Sequence, residues 1–194
     1  EFRRVLFRSQ NRDGMGVTLL RKNNIPTVIV TKEKTLMVRR WATKMKIKKV
    51  YDGVRHKELI IDKIHNEFDV LPDEMAYIGD DVNDLELMKR VGFSATPNNG
   101  IDEAKKTADY ICTLKGGEGA VREIADLILK IKFPNPGDPC QVVGQQIENP
   151  ARLWAGENVF ITQFFTCAEI YHSYQNRVGY FPEWTESEVT HWLI

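Results

Sequence analysis

The sequence predicts an α/β fold in which a parallel sheet carries helices on both faces. Short apolar runs of strand length alternate with longer segments whose apolar residues recur at helical spacing. This order repeats at least four times between residues 17 and 131, which is typical of parallel strands joined by crossover helices. The 194 residues are 42% hydrophobic and 28% charged, as in a globular domain with or without an appendage.

The individual elements follow from apolar periodicity and from Pro/Gly punctuation. The glycines of Arg12-Asp13-Gly14-Met15-Gly16 predict a turn, and residues 1–9 show neither strand alternation nor a helical face. Apolar and β-branched runs predict strands at 26–31, 48–51, 74–78, 92–97 and 109–112. Helical spacing predicts helices at 17–23, 32–44, 58–68, 85–91, 101–107 and 120–131. The expected architecture is a Rossmann-like parallel sheet.

The acidic stretch Gly79-Asp80-Asp81-Val82-Asn83-Asp84 directly follows the strand predicted at 74–78. The carboxyl end of a parallel strand is the usual ligand position of an open sheet. Three carboxylates within five residues repel one another, which a divalent cation would relieve, and hard oxygen ligands with retained waters favour Mg²⁺. The alternative is a helix N-cap, in which Asp84 or Asn83 accepts hydrogen bonds from free backbone amides.

Two further side chains have chemistry that suits a phosphate. Thr31 ends the strand predicted at 26–31, next to a helix N-terminus, although its hydroxyl could instead cap that helix. Lys57 stands at the start of the helix predicted at 58–68, where the helix dipole disfavours a cation, so an anion is a candidate partner. The alternative is a solvated surface lysine, since lysines are mostly exposed.

The glycine-rich segment Gly116-Gly117-Glu118-Gly119 is only a weak candidate for binding phosphate. It lacks the Lys-Ser/Thr pair that completes a P-loop. A plain turn before the helix predicted at 120–131 explains the glycines equally well.

Charge and cysteine content narrow the classes of function. The formal net charge is zero, which gives no general case for nucleic acid, and there is neither an apolar stretch of membrane-spanning length nor a signal-peptide pattern. Cys112, Cys140 and Cys167 are odd in number and scattered, so they form neither a disulfide framework nor a metal-ligand spacing. A reducing cytoplasm is therefore the expected location.

Composition divides the chain into a ragged remnant at 1–10, a domain at 11–133, and a linker with an unassigned tail at 134–194. The boundary is the Pro/Gly-punctuated run that begins at Phe133. The part from residue 137 onward contains no lysine but holds more than half of the aromatic residues. This tail could dock on a partner or belong to a further domain.

Two segments of the tail have recognisable patterns. Residues 159–165 are predicted either as a strand or as part of a longer helix, and residues 184–192 as a helix with Thr185 and Glu188 in a capping box. The lone histidines of the tail are expected to pack against aromatic side chains rather than to bind metal; they are His172 and His191.

Taken in order, the motifs of residues 11–132 resemble those of the haloacid dehalogenase superfamily. The resemblance is strongest to its small capless branch, the 3-deoxy-manno-octulosonate 8-phosphate phosphatases, whose domain also ends some acylneuraminate cytidylyltransferases. Each motif is weak alone, but five in order at the family spacing are specific together. They are Arg12 to Gly16, Val30 to Glu33, Gly53 to Lys57, Gly79 to Asp84, and Gly116 to Glu123.

The resemblance implies Mg²⁺-dependent hydrolysis of phosphomonoesters of 3-deoxy sugar acids, of the Kdo 8-phosphate or the sialic acid or KDN 9-phosphate type. It makes Thr31 the hydrogen-bond donor to the phosphoryl group, Lys57 its neutralising cation, and Asp80 the metal ligand. It gives Asp81 and Asp84 supporting roles in binding the metal. The residues that it places near the substrate are Arg12, Arg40, Gly116, Gly117 and Arg122. The branch also implies a homotetramer, in which the segment from Gly116 to Arg122 could serve a neighbouring subunit. This chemistry depends on positioning and charge neutralisation.

One departure from the family pattern concerns the nucleophile. The family uses an aspartate of an Asp-x-Asp motif at the end of its first strand, and no such motif precedes Arg12. An amino-terminal truncation is therefore expected, with the chain as given inactive and its sheet lacking a central strand, which would expose two edges. The alternative is a non-catalytic oligomerisation domain of an acylneuraminate cytidylyltransferase.

Overall fold

The structure is a computed structural model that describes residues 2–133 and 159–162, with side chains described for 12–133 and 160–162. The helices are α1 (Phe2–Lys22), α2 (Leu36–Met45), α3 (Ile61–Phe68), α4 (Leu85–Arg90), α5 (Asp102–Thr107) and α6 (Ala120–Lys132). The strands are β1 (Thr27–Val30), β2 (Lys49–Tyr51), β3 (Met75–Ile78), β4 (Phe93–Thr96), β5 (Tyr110–Ile111) and β6 (Val159–Thr162). Short 3₁₀ turns precede α3, β3 and α4 at Lys57–Ile60, Pro72–Glu74 and Val82–Asp84.

The six strands form one sheet in the order β2-β1-β6-β3-β4-β5, and every neighbouring pair is parallel. β6 is the last of these strands in the chain, yet it lies in the interior of the sheet between β1 and β3. The expectation of an empty central position with two exposed edges is therefore wrong. Residues 159–162 form a strand, as one of the two alternatives for this segment predicted, and they satisfy the backbone groups of both neighbours.

Helices cover both faces of the sheet, as predicted. On one face, residues of β1, β3 and β6 form a continuous apolar core with side chains of α3, α4 and α5. On the other, Ile29 of β1 packs with Val38 and Ala42 of α2, and α1 lies against β1, α2 and α6. The middle strands are buried on both faces, which is why their sequences are continuous apolar runs rather than alternating ones.

The first helix differs from the prediction of a turn at residues 12–16. α1 runs without a break through this motif, because its glycines serve close packing rather than a change of chain direction. A Cβ on Gly16 would lie 2.9 Å from the Cα of Arg122, so glycine lets α1 approach the backbone of α6.

Two other boundaries differ from the predictions. α2 begins at Leu36 rather than at residue 32, because the side chain of Thr35 is the N-cap and accepts a hydrogen bond from the amide of Val38. β5 has two residues rather than the predicted four. The predicted helix at 184–192 and the tail histidines lie outside the described residues. None of the helices described here combines the length and apolarity needed to cross a bilayer.

Candidate phosphate-binding site

The carboxyl ends of all six strands meet at one edge of the sheet because every pairing is parallel. Thr162, the last residue of β6, is in register with Ile29 of β1 on one side and with Ile78 of β3 on the other. Thr31 and Asp80 each lie two residues beyond these partners. They therefore stand level with each other on either side of the end of β6, separated by two strand spacings, roughly 10 Å.

Lys57 lies beneath the acidic loop and is buried, with 2% of its side chain exposed. Its ammonium Nζ donates to Oδ1 of Asp84 over 2.5 Å, and Asp84 is itself fully buried. The alternative of a solvated surface lysine is therefore wrong. The partner lies 27 positions later in the chain, so local sequence pattern could not show that the lysine is buried.

The hydroxyl of Tyr77 donates to the same oxygen of Asp84. Burial raises the pKa of this phenol well above its usual value, and the neighbouring Asp84 carboxylate raises it further, so Tyr77 remains a neutral donor. Tyr77 is not among the predicted site residues, because its position in an apolar strand gave no sign of a polar role.

The second oxygen of Asp84 organises the loop that follows β3. Oδ2 accepts hydrogen bonds from the amides of Asp80 at 3.0 Å and Asp81 at 3.1 Å. Both carboxylate oxygens are thus engaged by donors of the protein. The capping alternative is correct in that Asp84 bonds backbone amides, although these amides precede it in the loop rather than opening α4.

The remaining carboxylates of the loop lie nearer to solvent. Asp80 is half-buried, and Asp81 is exposed, with its Oδ1 accepting from the amide of Val82 at 2.7 Å. Among the described residues, no group of three or more His, Cys, Asp or Glu side chains is arranged to hold a metal ion. Magnesium often retains waters and uses one or two carboxylates together with phosphate oxygens. The loop therefore fits an open magnesium site but does not form a closed one.

Thr31 is buried, with 7% exposure, and its backbone is tied to neighbouring segments. Its amide donates to the carbonyl of Tyr51 at 2.9 Å, and its carbonyl accepts from the amide of Val54 at 3.0 Å. Its hydroxyl oxygen accepts from the amide of Glu33 at 3.1 Å, so it does not cap α2. Because this bond uses Thr31 as an acceptor, the hydroxyl hydrogen can be donated to a ligand.

The glycine-rich loop lies close to the acidic loop. Ile101 donates its amide to the carbonyl of Asp80 at 3.0 Å, and nearby Asn99 accepts from the amide of Gly116 at 2.7 Å. Gly117 and Gly119 have positive φ angles of 77° and 117°, as tight turns require. The amide of Gly116 is thus already used in holding the loop.

Glu123, which sequence reasoning missed as an anchor, fixes the other side of this loop. Its carboxylate accepts hydrogen bonds from the hydroxyls of Tyr110 and Thr113 and from the amides of Thr113 and Leu114, at 2.8–3.0 Å. It reaches back from the first turn of α6, so no local spacing signalled the contact.

The three predicted substrate arginines have different surroundings. Arg12 is exposed, and its side chain lies within 4 Å of a Cβ built on Gly119, beside the glycine-rich loop. Arg122 is engaged by Asp126 through its Nε, 2.8 Å from both carboxylate oxygens. Arg40 is exposed on α2, and the described residues show no contact that ties it to the acidic loop.

Comparison with known proteins identifies the family of the chain. A sequence profile described as haloacid dehalogenase-like hydrolase matches residues 29–124. The 3-deoxy-D-manno-octulosonate 8-phosphate phosphatase KdsC of Salmonella typhi is 32% identical over 118 residues, which cover 61% of this chain and 63% of that protein. The phosphatase of the same name from Escherichia coli K12 is 31% identical with the same coverage. The chain therefore spans about 63% of the length of these curated relatives.

Solved structures extend the likeness to the fold. The probable YrbI family phosphatase of Pseudomonas syringae pv. phaseolica 1448a is 33% identical, with a TM-score of 0.61 and coverage of 62% of this chain and 68% of that one. The 3-deoxy-D-manno-octulosonate 8-phosphate phosphatase of Moraxella catarrhalis, solved with magnesium, phosphate and KDO, is 34% identical, with a TM-score of 0.60 and coverage of 61% and 68%. These matches confirm the predicted fold class and resemblance: the chain belongs to the haloacid dehalogenase-like hydrolase family.

Proposed function

We propose that this chain binds phosphorylated 3-deoxy sugar acids at the carboxyl edge of its sheet, as a Mg²⁺-dependent phosphomonoester hydrolase would, but does not turn them over. The observation that carries the proposal is the placement of Thr31 and Asp80 at one level on either side of the end of β6. A phosphate between them would receive a hydroxyl donor from one side and a magnesium ion held by Asp80 from the other.

Lys57 lies beneath the same loop in an ion pair with Asp84. Because its ammonium is fixed on Asp84, we assign it to positioning the loop rather than to moving toward the ligand. Magnesium would supply charge neutralisation of the phosphoryl oxygens. Asp81 is proposed as a ligand through water, and Asp84 as the anchor of the loop.

The proposed lack of turnover follows from the residues at the central strand. The described end of β6 carries the hydroxyl of Thr162, and no Asp-x-Asp occurs anywhere in the 194 residues. An aspartyl-phosphate intermediate needs a carboxylate nucleophile.

Several finer assignments are part of the same proposal. The curated relatives named above are phosphatases of Kdo 8-phosphate, which makes an 8- or 9-phosphorylated sugar acid the first ligand to test. Arg12 and the glycine-rich loop are proposed to contact the sugar acid, with Arg40 and Arg122 as further candidates. A cytoplasmic location and a homotetramer also stay predictions.

A binding experiment tests the proposal. Calorimetric titration with orthovanadate or Kdo 8-phosphate should show binding that requires Mg²⁺ and is lost in Asp80→Asn and weakened at least about tenfold in Thr31→Val. Asp102→Asn, which changes an exposed carboxylate on α5, should bind like the unaltered chain. Mg²⁺-dependent binding that survives Asp80→Asn would overturn the site assignment.

The same preparation tests the alternative of a non-catalytic oligomerisation domain. Phosphate release from Kdo 8-phosphate should stay at the buffer rate, and release above that rate that is lost in Asp80→Asn would overturn the proposed inactivity. A stable tetramer in sedimentation velocity, together with no anion binding under any metal condition, would favour the assembly role instead.

A further inference from the structure

The central strand of the sheet comes from a segment that is distant in the chain from both of its neighbours. β6 is separated from the end of α6 by residues 133–158 and is inserted between β1 and β3. We propose that the space between β1 and β3 is a strand-binding site that residues 159–162 fill, and that this strand sets the distance between Thr31 and Asp80. The second part rests on the proposed function.

Backbone pairing is the first evidence for a binding site. Residues Phe160, Ile161 and Thr162 are each in register with partners on both sides, and Val159 with a partner on β3. The amide of Phe160 also donates to the carbonyl of Pro26 at 3.0 Å, just before β1 begins. Main-chain bonds of this kind give affinity for any extended segment, as in strand addition at a sheet edge.

Side-chain burial supplies selectivity. Phe160 and Ile161 are fully buried and Thr162 is 1% exposed, so the three described side chains of β6 are all enclosed. Ile161 belongs to the same apolar core as Val28 of β1 and Tyr77 of β3. A segment without large apolar or β-branched side chains at these positions would leave cavities on both faces of the sheet.

The same strand determines the geometry of the candidate site. The loops that contain Thr31 and Asp80 begin immediately beyond β1 and β3, and the only described element between these strands is β6. With β6 in place, Thr31 and Asp80 are two strand spacings apart. Without it, β1 and β3 would either separate or pair directly, and either change alters that distance by a full strand spacing or more.

The test uses the full chain carrying Ile161→Pro, since proline removes a ladder bond and is not tolerated in a central strand. The matched control is Ile111→Pro on the edge strand β5, where the amide of the next residue, Cys112, donates to the carbonyl of Thr96. Because amides along a strand point alternately to either side, that of Ile111 is expected to face away from β4. Each variant is mixed with a labelled synthetic peptide of residues 156–166 or with the same peptide carrying Ile161→Pro.

Hydrogen exchange and fluorescence anisotropy give the readouts. In Ile161→Pro, the amides of β1 and β3 that face β6 should lose protection. The unaltered peptide should restore it and should bind this variant at least about tenfold more tightly than it binds the unaltered chain, whose site is filled intramolecularly. Unchanged protection in Ile161→Pro, or equal binding of both peptides, would overturn the proposal.

A second variant and a vanadate-binding measurement separate misfolding from failure of the proposed function. If Ile161→Pro does not fold, Ile161→Thr retains β-branching while weakening the core, and a lack of peptide-dependent protection in that variant would equally overturn the strand site. Peptide binding that restores protection but leaves the chain unable to bind vanadate with Mg²⁺ would refute the proposed function alone. Vanadate binding that persists in Ile161→Pro without peptide would refute the spacing role.

Discussion

The ammonium of Lys57 lies 2.5 Å from Oδ1 of Asp84, and both side chains are buried. The Tyr77 hydroxyl and two backbone amides complete the bonding of this carboxylate. Such a pair offsets its desolvation only when further hydrogen bonds satisfy its remaining bonding capacity, and the Asp84 carboxylate accepts from four donors. This ion pair joins the 3₁₀ turn before α3 to the loop after β3, and so holds the acidic loop in place from below.

Lys57→Met should destabilise the domain by about 3–5 kcal/mol, because it leaves the Asp84 charge buried without its cation. Asp84→Asn should lower the free energy of unfolding by a similar amount, since it leaves the buried ammonium of Lys57 without its carboxylate. Urea unfolding followed by circular dichroism measures both. The double variant should lose clearly less than the sum of the two single losses, and additive losses would show that the two groups do not interact.

Asp13 makes stability depend on pH. It lies on α1 and accepts a hydrogen bond from the amide of Arg122 at 3.1 Å, in the first turn of α6. Burial raises the pKa of this carboxyl to about 6, and the hydrogen bonds from α6 only partly counter that effect. Because the pKa is higher in the folded state than in the unfolded state, protonation of Asp13 stabilises the folded state. This stabilisation is fully present below the unfolded pKa of 3.8 and is lost as the pH rises through about 6.

Replacing Asp13 with Asn should remove this dependence. The stability of the unaltered chain minus that of Asp13→Asn should fall between pH 4 and pH 6.5, by on the order of 2–3 kcal/mol. Asp13→Ala removes the acceptor as well and should lie about 1 kcal/mol below Asp13→Asn at every pH. A difference that is constant with pH would contradict the assignment.

The two glycines of α1 should respond differently to alanine. A Cβ on Gly16 would meet the Cα of Arg122 at 2.9 Å, and because backbone cannot move aside cheaply, Gly16→Ala should cost about 1–3 kcal/mol. A Cβ on Gly14 would meet Sδ of Met45 at 2.5 Å, near the end of a flexible side chain. Gly14→Ala should therefore be close to neutral, since better helix propensity offsets the repacking. Thermal unfolding compares them, and equal effects would contradict the packing explanation.

Removal of the Glu123 carboxylate should loosen the glycine-rich loop without unfolding the domain. In Glu123→Ala, the amides of Thr113 and Leu114 lose their acceptors but can turn to water, because both residues are exposed. Hydrogen exchange at Leu114 should accelerate at least about tenfold, which corresponds to about 1.4 kcal/mol. Glu118→Ala, an exposed position in the same loop, is the control and should leave that amide unchanged.

The order of strands and helices could be predicted because each leaves a local apolar pattern in the sequence. The acidic loop after β3 could also be predicted, since polar residues at the carboxyl end of a buried strand have few structural reasons to be there. The burial of Lys57 could not be predicted, because its partner Asp84 lies on another element. Its unfavourable position at a helix start indicated only that an anion could be its partner.

The errors arose where residues distant in the chain determine the local structure. The turn predicted for Gly14 and Gly16 is wrong because their role is set by α2 and α6, which come later in the chain. The place of β6 could not be predicted, because parallel pairing leaves no turn signal between partners. For the same reason the hydrogen bond between Asp13 and Arg122 and the anchoring contacts of Glu123 were missed, since each joins α6 to another element.

The central position of β6 has a consequence for how the chain is made. Thr27 of β1 pairs with Phe160, about 130 positions later, so the middle of the sheet cannot close until residues 159–162 have left the ribosome. At roughly 5–20 residues per second, the neighbours β1 and β3 wait several seconds for their shared partner. During that interval, two ladders of unpaired amides and carbonyls are open to other nascent chains. The yield of native protein in cells should therefore depend on chaperones and growth temperature more than its final stability would suggest.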